Sequence, residues 1–167
     1  MGGSRSGYTV AWGAGPGCLE VWADPETATR LFRTMLGLFP SPSTLELRYR
    51  EGGAPRVRSR IAVGRDAIAE AFESLCEYIA AGEGIEIAIA SDMLGAAMHL
   101  AGRGRLRVTA PDLRAFEQVV EESGIRPLRA GRLPAWPRLR ARGSRLGGET
   151  ATLHNTVERL RLAPPRD

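Results

Sequence analysis

Apolar and polar positions change period several times along the chain, and the changes mark out its elements. Tyr8, Val10 and Trp12 alternate with other residues, as do Leu19 and Val21, which predicts strands over 8–12 and 18–23. Between them Gly13-Ala14-Gly15-Pro16-Gly17 reads as a turn. Asp24-Pro25-Glu26 then supplies an N-cap, a proline at the first helical position and an early acid. The helix that follows places Leu31, Phe32, Met35 and Leu36 on one stripe and must end before Pro40-Ser41-Pro42.

The same layout returns twice. Leu45, Leu47 and Tyr49 alternate with Glu46, Arg48 and Arg50, the pattern of a half-buried strand. Glu51-Gly52-Gly53-Ala54-Pro55 is a turn, and residues 56–63 return. From about Arg65 a helix carries Ile68, Phe72, Leu75 and Ile79 at i, i+4, i+7 and i+11, closed by Gly82 and Gly84. In the third unit Ile85, Ile87 and Ile89 predict a strand and residues 105–109 another. Thr109-Ala110-Pro111-Asp112 opens a helix with Leu113, Phe116 and Val120 inward, stopped at Gly124. Residues 93–100 suit a short helix through Leu94, Ala97 and Met98, or a strand through Ala96, Met98 and Leu100.

These elements define an α+β domain over residues 7–125, with helices packed on one face of a mainly antiparallel sheet. Two layouts are open: repeated β-β-α units, or the ferredoxin-like β-α-β-β-α-β order over residues 18–90. Residues 1–6 read as a flexible leader. Pro127, Pro134, Pro137 and several glycines argue against regular structure over 126–148. Leu153, Val157 and Leu160 then share one face of a short C-terminal helix, placed within 149–163 and packing on the same domain.

Composition changes this picture at one point, the charge. The 167 residues carry a formal net charge of +4 from 23 basic and 19 acidic residues. Every basic residue is arginine, and Gln118 and Asn155 are the sole representatives of their types, which points to a GC-rich, bacterial genome. Codon usage therefore explains much of the preference for arginine. The distribution is more informative. From Ser123 to Gly148 there is no acid and there are seven arginines: Arg126, Arg129, Arg132, Arg138, Arg140, Arg142 and Arg145. Setting those seven aside leaves 16 arginines against 19 acids, a formal charge of −3. A mildly acidic body thus carries a +7 arm.

Such an arm can neutralise a polyanion through Arg132, Arg138, Arg140, Arg142 and Arg145 while Trp136 stacks on a base. It can instead dock on an acidic protein surface, or fold back over its own body. A second basic group comes from the hairpin. With Leu45, Leu47, Tyr49, Val57, Ile61 and Val63 inward, Arg48, Arg50, Arg56, Arg58 and Arg60 share the opposite face. A register symmetrical about Gly53 sets Arg50 against Arg56 and Arg48 against Arg58, like charges that cost about 0.2–1 kcal/mol per pair.

Motifs for known chemistries are missing. Cys18 and Cys76 have no CxxC or Cys/His spacing, so neither zinc nor a disulfide framework is indicated, and the compartment expected is the reducing cytoplasm. The glycines of residues 13–17 lack the spacing of a phosphate-binding loop. Residues 101–105 read as a turn whose backbone donors could hold an anion. His99 lies in an apolar stretch and reads as a satisfied, partly buried histidine, with Asp92 as a conceivable acid–base partner; His154 faces solvent. Trp22 is the only aromatic placed to stack a base on the sheet's outer face, too little for an RNA-binding sheet. No apolar run is long enough to span a membrane, and no cofactor is indicated. The expectation is a non-enzymatic accessory protein engaging an anionic partner through the arm, nucleic acid ahead of an acidic protein surface. The alternative is a protein-interaction module of adaptor, inhibitor or immunity type, and a small enzyme comes third.

Overall fold

The computed structural model describes residues 6–128 and 149–164. Its strands are β1 (Gly7–Ala11), β2 (Gly17–Trp22), β3 (Ser43–Glu51), β4 (Ala54–Val63), β5 (Glu86–Ser91), β6 (Ala96–Ala101) and β7 (Arg105–Ala110). Its helices are α1 (Pro25–Leu36), α2 (Arg65–Ala81), α3 (Arg114–Glu122) and α4 (Glu149–Arg159). The strands form one seven-stranded sheet in the order β1-β2-β7-β6-β5-β3-β4, with every neighbouring pair antiparallel. The class is α+β, and β6 settles residues 96–101 as strand.

Local signals act where the pattern placed them. Asp24 caps α1 by accepting the Thr27 amide at 2.9 Å, and Pro25 follows at the first turn. Gly82 ends α2 in the left-handed conformation, at φ 74°. The predicted stripes of α1 and α2 are buried at 5% exposure or less, and Phe32 meets Phe72 with ring centroids 4.8 Å apart. Beneath them lies the inner face of the sheet, including Leu19, Val21, Leu45, Leu47, Ile87, Ile89, Met98, Leu100, Leu106 and Val108. Helix α1 lies over β6 and β7, α2 over β5, α3 over β2, and α4 against α2. Leu153, Thr156 and Leu160 are buried there.

Three successive units build the sheet, two of β-β-α and a third with three strands before its helix. In the second, β4 and β5 run parallel with β3 between them, a split β-α-β crossover. The first crossover, β2-α1-β3, spans the inserted strands β7, β6 and β5, so the ferredoxin-like order does not form.

The β3–β4 hairpin corrects the expected arginine face. Gly52 and Gly53 both have positive φ, 57° and 83°, and form a two-residue turn that pairs Glu51 with Ala54. This register is one residue away from symmetry about Gly53, and a one-residue slip turns every side chain of a strand to the other face. Arg48 therefore opposes Val57 and Arg56 opposes Tyr49. Arg48 and Arg50 lie on the open face, whereas Arg56, Arg58 and Arg60 lie on the helix side with Leu45, Leu47 and Tyr49. No like-charge pair stands directly across the hairpin. A bulge with Ala62 at φ 55° then returns Val63 inward, opposite Ser43, and leaves Ile61 73% exposed rather than in the core.

Both sheet edges carry a short extra segment. Tyr8 exchanges backbone hydrogen bonds with Arg126 and Leu128 at 3.1 and 2.8 Å, and Ser59 does so with Ala163 at 2.7 and 3.0 Å. Each blunts a strand that would otherwise offer unpaired donors.

Candidate interaction surface at one end of the sheet

The open face of the sheet is a set of ion pairs. Glu20 on β2 accepts from Arg105 at 3.1 Å and from Arg107 Nε at 2.7 Å, across the β2–β7 register. Burial works to raise the Glu20 pKa, and the hydrogen bonds from Arg107 and Arg105 outweigh it, leaving the carboxyl below its ordinary range. His99 Nε2 meets Glu86 at 2.7 Å, from the neighbouring strand; Asp92, the partner considered from sequence, lies in the β5–β6 turn instead. The His99 contact, the largest influence on Glu86, holds that carboxyl below its usual range. Arg48 pairs with Glu46. Glu20, Glu46 and Glu86 are thus each engaged by a basic side chain on this face. Trp22 lies on it at only 8% exposure, too covered to serve as a stacking platform.

The remaining hairpin arginines are dispersed. Arg50 donates to the Gly53 carbonyl at 3.3 Å, Arg56 pairs with Glu51 at 3.1 Å, and Arg58 sits opposite Leu47. Arg48, Arg50, Arg56 and Arg58 therefore do not assemble one anion site. Arg132, Trp136, Arg138, Arg140, Arg142 and Arg145 lie outside the described residues.

Neither thiol is activated. Burial, the largest influence on each, pushes the Cys18 and Cys76 pKa values up, away from the thiolate a nucleophile requires. Among the described residues, no group of three His, Cys, Asp or Glu is placed to hold a metal ion. No helix among them is long and apolar enough to cross a membrane. The glycine turn at 102–104 is filled by backbone: the Ala23 amide donates to the Gly104 carbonyl at 3.0 Å, and a Cβ on Gly102 would stand 2.8 Å from Gly82 Cα. That packing replaces the anion cradle considered from sequence.

A different feature emerges from the register. The exposed large hydrophobic side chains among the described residues are Trp12, Leu38, Ile61, Met93 and Leu94, at 63, 37, 73, 81 and 42%. Trp12 begins the β1–β2 turn, Leu38 lies between α1 and β3, and Ile61 precedes the end of β4. Met93 and Leu94 form the β5–β6 turn. Ala11, Gly17, Ala110, Ala96, Ser91, Ser43 and Val63 are the strand termini at that same end of the sheet. Trp12, Leu38, Met93 and Leu94 therefore lie in loops at one end of the sheet, whereas Ile61 is on the edge strand β4, across the full width of the sheet from Trp12. Single exposed apolar residues are ordinary, but their collection at one end is not.

This end also holds a cleft of about 280 Å³, lined by Leu38, Leu94, Ala96, Ala110, Pro111, Asp112, Ala115 and Phe116. Phe39 packs edge-on against Phe116 at 5.8 Å and supports one wall. Trp12 is held over Gly17, where an added Cβ would come within 2.6 Å of the indole and 2.8 Å of Leu113. The placement of Trp12, Leu38, Met93 and Leu94 could not be found from sequence periodicity, because each lies in a loop or turn and only the strand register brings those turns to one end. No family model, curated protein or solved structure matches the chain.

Proposed function

We propose that this protein is a non-enzymatic binding module that docks a protein partner on the end of the sheet bearing Trp12, Leu38, Met93 and Leu94. The observation that carries the reading is the collection of the exposed large hydrophobic side chains there. Aromatic residues and methionine are the types enriched at the centres of protein interfaces. The cleft falls just short of the roughly 300–1,000 Å³ of small-molecule sites and has one charged residue in its lining. It suits the anchoring side chain of a partner better than a metabolite.

The test is site-resolved. A photoreactive benzoylphenylalanine at Met93, irradiated in cells of the native host, is expected to give one discrete covalent adduct. The same group at Glu26, at the start of α1 beyond the opposite end of the sheet, gives none, and Leu38→Asp with Leu94→Asp abolishes the Met93 adduct. Absence of an adduct at position 93, or identical adducts at 93 and 26, overturns the reading.

A second reading rests on the asymmetry of charge, seven arginines and no acid between Ser123 and Gly148. It assigns an anionic partner to that segment, nucleic acid ahead of an acidic protein surface. Because Arg126 and Leu128 pair with Tyr8, substitution tests it better than deletion. Changing Arg132, Arg138, Arg140, Arg142 and Arg145 to Gln should flatten the log–log dependence of DNA affinity on salt by about 0.9 per lost phosphate contact. A full-length chain that does not bind DNA at low salt overturns the nucleic-acid form.

A further inference from the structure

We propose that Arg56, Arg58 and Arg60, aligned on the helix side of the edge strand β4, grip successive phosphates of a nucleic-acid strand. The site lies apart from the docking end and does not rest on that reading. The register that parts Arg56 and Arg58 from Arg48 and Arg50 sets them in line with Arg60, at alternate positions of one strand. Alternate side chains of a strand stand on one face ~6.7 Å apart, so the row presents three guanidiniums along a line. Across the hairpin they face Tyr49, Leu47 and Leu45, none of which can neutralise them. Residues 52–65 carry four arginines and no acid. The open face is the contrast, since Arg48, Arg105 and Arg107 each pair there with a glutamate.

Most of the row's hydrogen-bonding capacity is unspent. A guanidinium carries five N–H donors in a fork that matches phosphate. Arg56 gives its Nε to Glu51 at 3.1 Å, the only ion pair in the row among the described residues, and Arg60 gives Nη1 to the Leu160 carbonyl. Arg58 is half-buried and has no hydrogen-bond or ion-pair partner among the described residues. A partly desolvated cation without an acceptor is unfavourable, and an anion seated on the row relieves it. The backbone argues against an acidic peptide added as a further strand. Ala163 occupies the outward hydrogen bonds of Ser59, and Pro55 has no N–H, so β4 offers no continuous edge to pair with. A ligand must therefore be held by side chains alone, which suits a linear phosphate backbone. Tyr49, the aromatic residue across from Arg56, is buried at 6% exposure, so no ring is offered to stack a base and the contact is independent of sequence.

The experiment is a fluorescence-anisotropy titration of the full chain with a labelled oligothymidylate over a series of salt concentrations. The wild-type chain is expected to bind at low salt. In Arg58→Gln the log–log dependence of affinity on salt should flatten by about 0.7, the share of one phosphate contact on a single strand. Arg58→Lys keeps the charge and should keep the wild-type slope, which a residue needed only for folding would not do. Arg30→Gln, at an exposed position of α1, should also keep it. No binding at low salt overturns the proposal. An Arg58→Gln slope equal to the wild-type value does so too, and assigns the binding to other arginines, such as those between Ser123 and Gly148. A slope reduced as much by Arg58→Lys as by Arg58→Gln shows a structural role and overturns it as well. Displacement of the oligonucleotide by polyglutamate at equal charge concentration makes the occupant an acidic peptide, and the proposal fails.

Discussion

The Tyr8 hydroxyl lies 2.8 Å from Glu121 Oε1 and 3.0 Å from Glu117 Oε1. A phenol has one proton, so it donates to one carboxylate at a time while two acids a helical turn apart converge on it. The ring is buried at 2% exposure, and the bond ties the edge strand β1 to α3. Tyr8→Phe keeps the packing and loses the donor. It should cost about 1.5 kcal/mol, the low end for a hydrogen bond to a charged group because Glu121 is exposed to water. Urea denaturation measures it. A loss below about 0.3 kcal/mol would show that the contact contributes nothing net.

The same tyrosine predicts an alkaline effect. Burial first, and then hydrogen bonding to Glu121 and Glu117, raises its pKa well above the ordinary value of 10.0. Above about pH 10 the unfolded chain releases this proton while the folded chain keeps it, so stability falls as pH rises. The slope from this group approaches about 1.4 kcal/mol per pH unit. Subtracting the Tyr8→Phe curve from the wild-type curve between pH 9 and 11.5 isolates the contribution, and parallel curves would refute it.

Gly104 has φ 82°, and a Cβ there would fall 1.9 Å from the Ala23 carbonyl oxygen. Gly84 has nearly the same φ, 84°, with nothing within 4 Å. Both alanine variants suffer backbone strain of roughly 1–3 kcal/mol, but only Gly104→Ala must also push the β2–α1 junction away from the β6–β7 turn. Gly104→Ala should therefore be the more destabilising by at least about 1 kcal/mol. Equal thermal midpoints for the two variants would contradict the close approach.

Sequence periodicity reads well wherever one residue's environment is set by its near neighbours. The Ile68–Ile79 stripe, the Asp24 cap and the Gly82 stop are all found in the structure because each depends on spacing within one helix. The hairpin arginines were not legible, since their faces turn on whether Gly52-Gly53 or Gly53 alone is the centre of the turn. Periodicity is identical in the two registers and only the faces differ. The apolar end is illegible for a related reason. Trp12, Leu38 and Met93 are far apart in sequence, and the long crossover that inserts β5, β6 and β7 between β2 and β3 decides which turns become neighbours.

Glu20 predicts an acid-side effect of opposite sign to that of Tyr8. Its folded pKa lies below the ordinary 4.5, because Arg107 and Arg105 outweigh the effect of burial. The stability it contributes is present above about pH 4.5 and is lost as pH falls through the folded value. Glu20→Gln replaces the charged acceptor shared by two guanidiniums on β7 with a neutral amide oxygen and should cost about 1 kcal/mol at neutral pH. As pH falls through the folded pKa of Glu20 the two proteins should converge. A difference that stays constant from pH 7 to 2.5 would assign the loss to packing instead.

Arg60 is the residue whose face the hairpin register changes most usefully. Turned to the helix side, its Nη1 donates to the Leu160 carbonyl at 2.8 Å, one of the acceptors that a helix end leaves without an internal partner. Three residues beyond, Ala163 exchanges backbone hydrogen bonds with Ser59 and closes the β4 edge. The guanidinium therefore holds the end of α4 in the position from which the chain reaches the sheet. Arg60→Ala should release that segment without opening the core. Hydrogen exchange of the Ser59 amide, which donates to Ala163 at 2.7 Å, is expected to speed about tenfold, the equivalent of about 1.4 kcal/mol. The amides of Ile87 and Met98, on the central strands β5 and β6, should slow or speed only with global stability. Unchanged protection at Ser59 would show that the two backbone bonds hold the edge without the arginine.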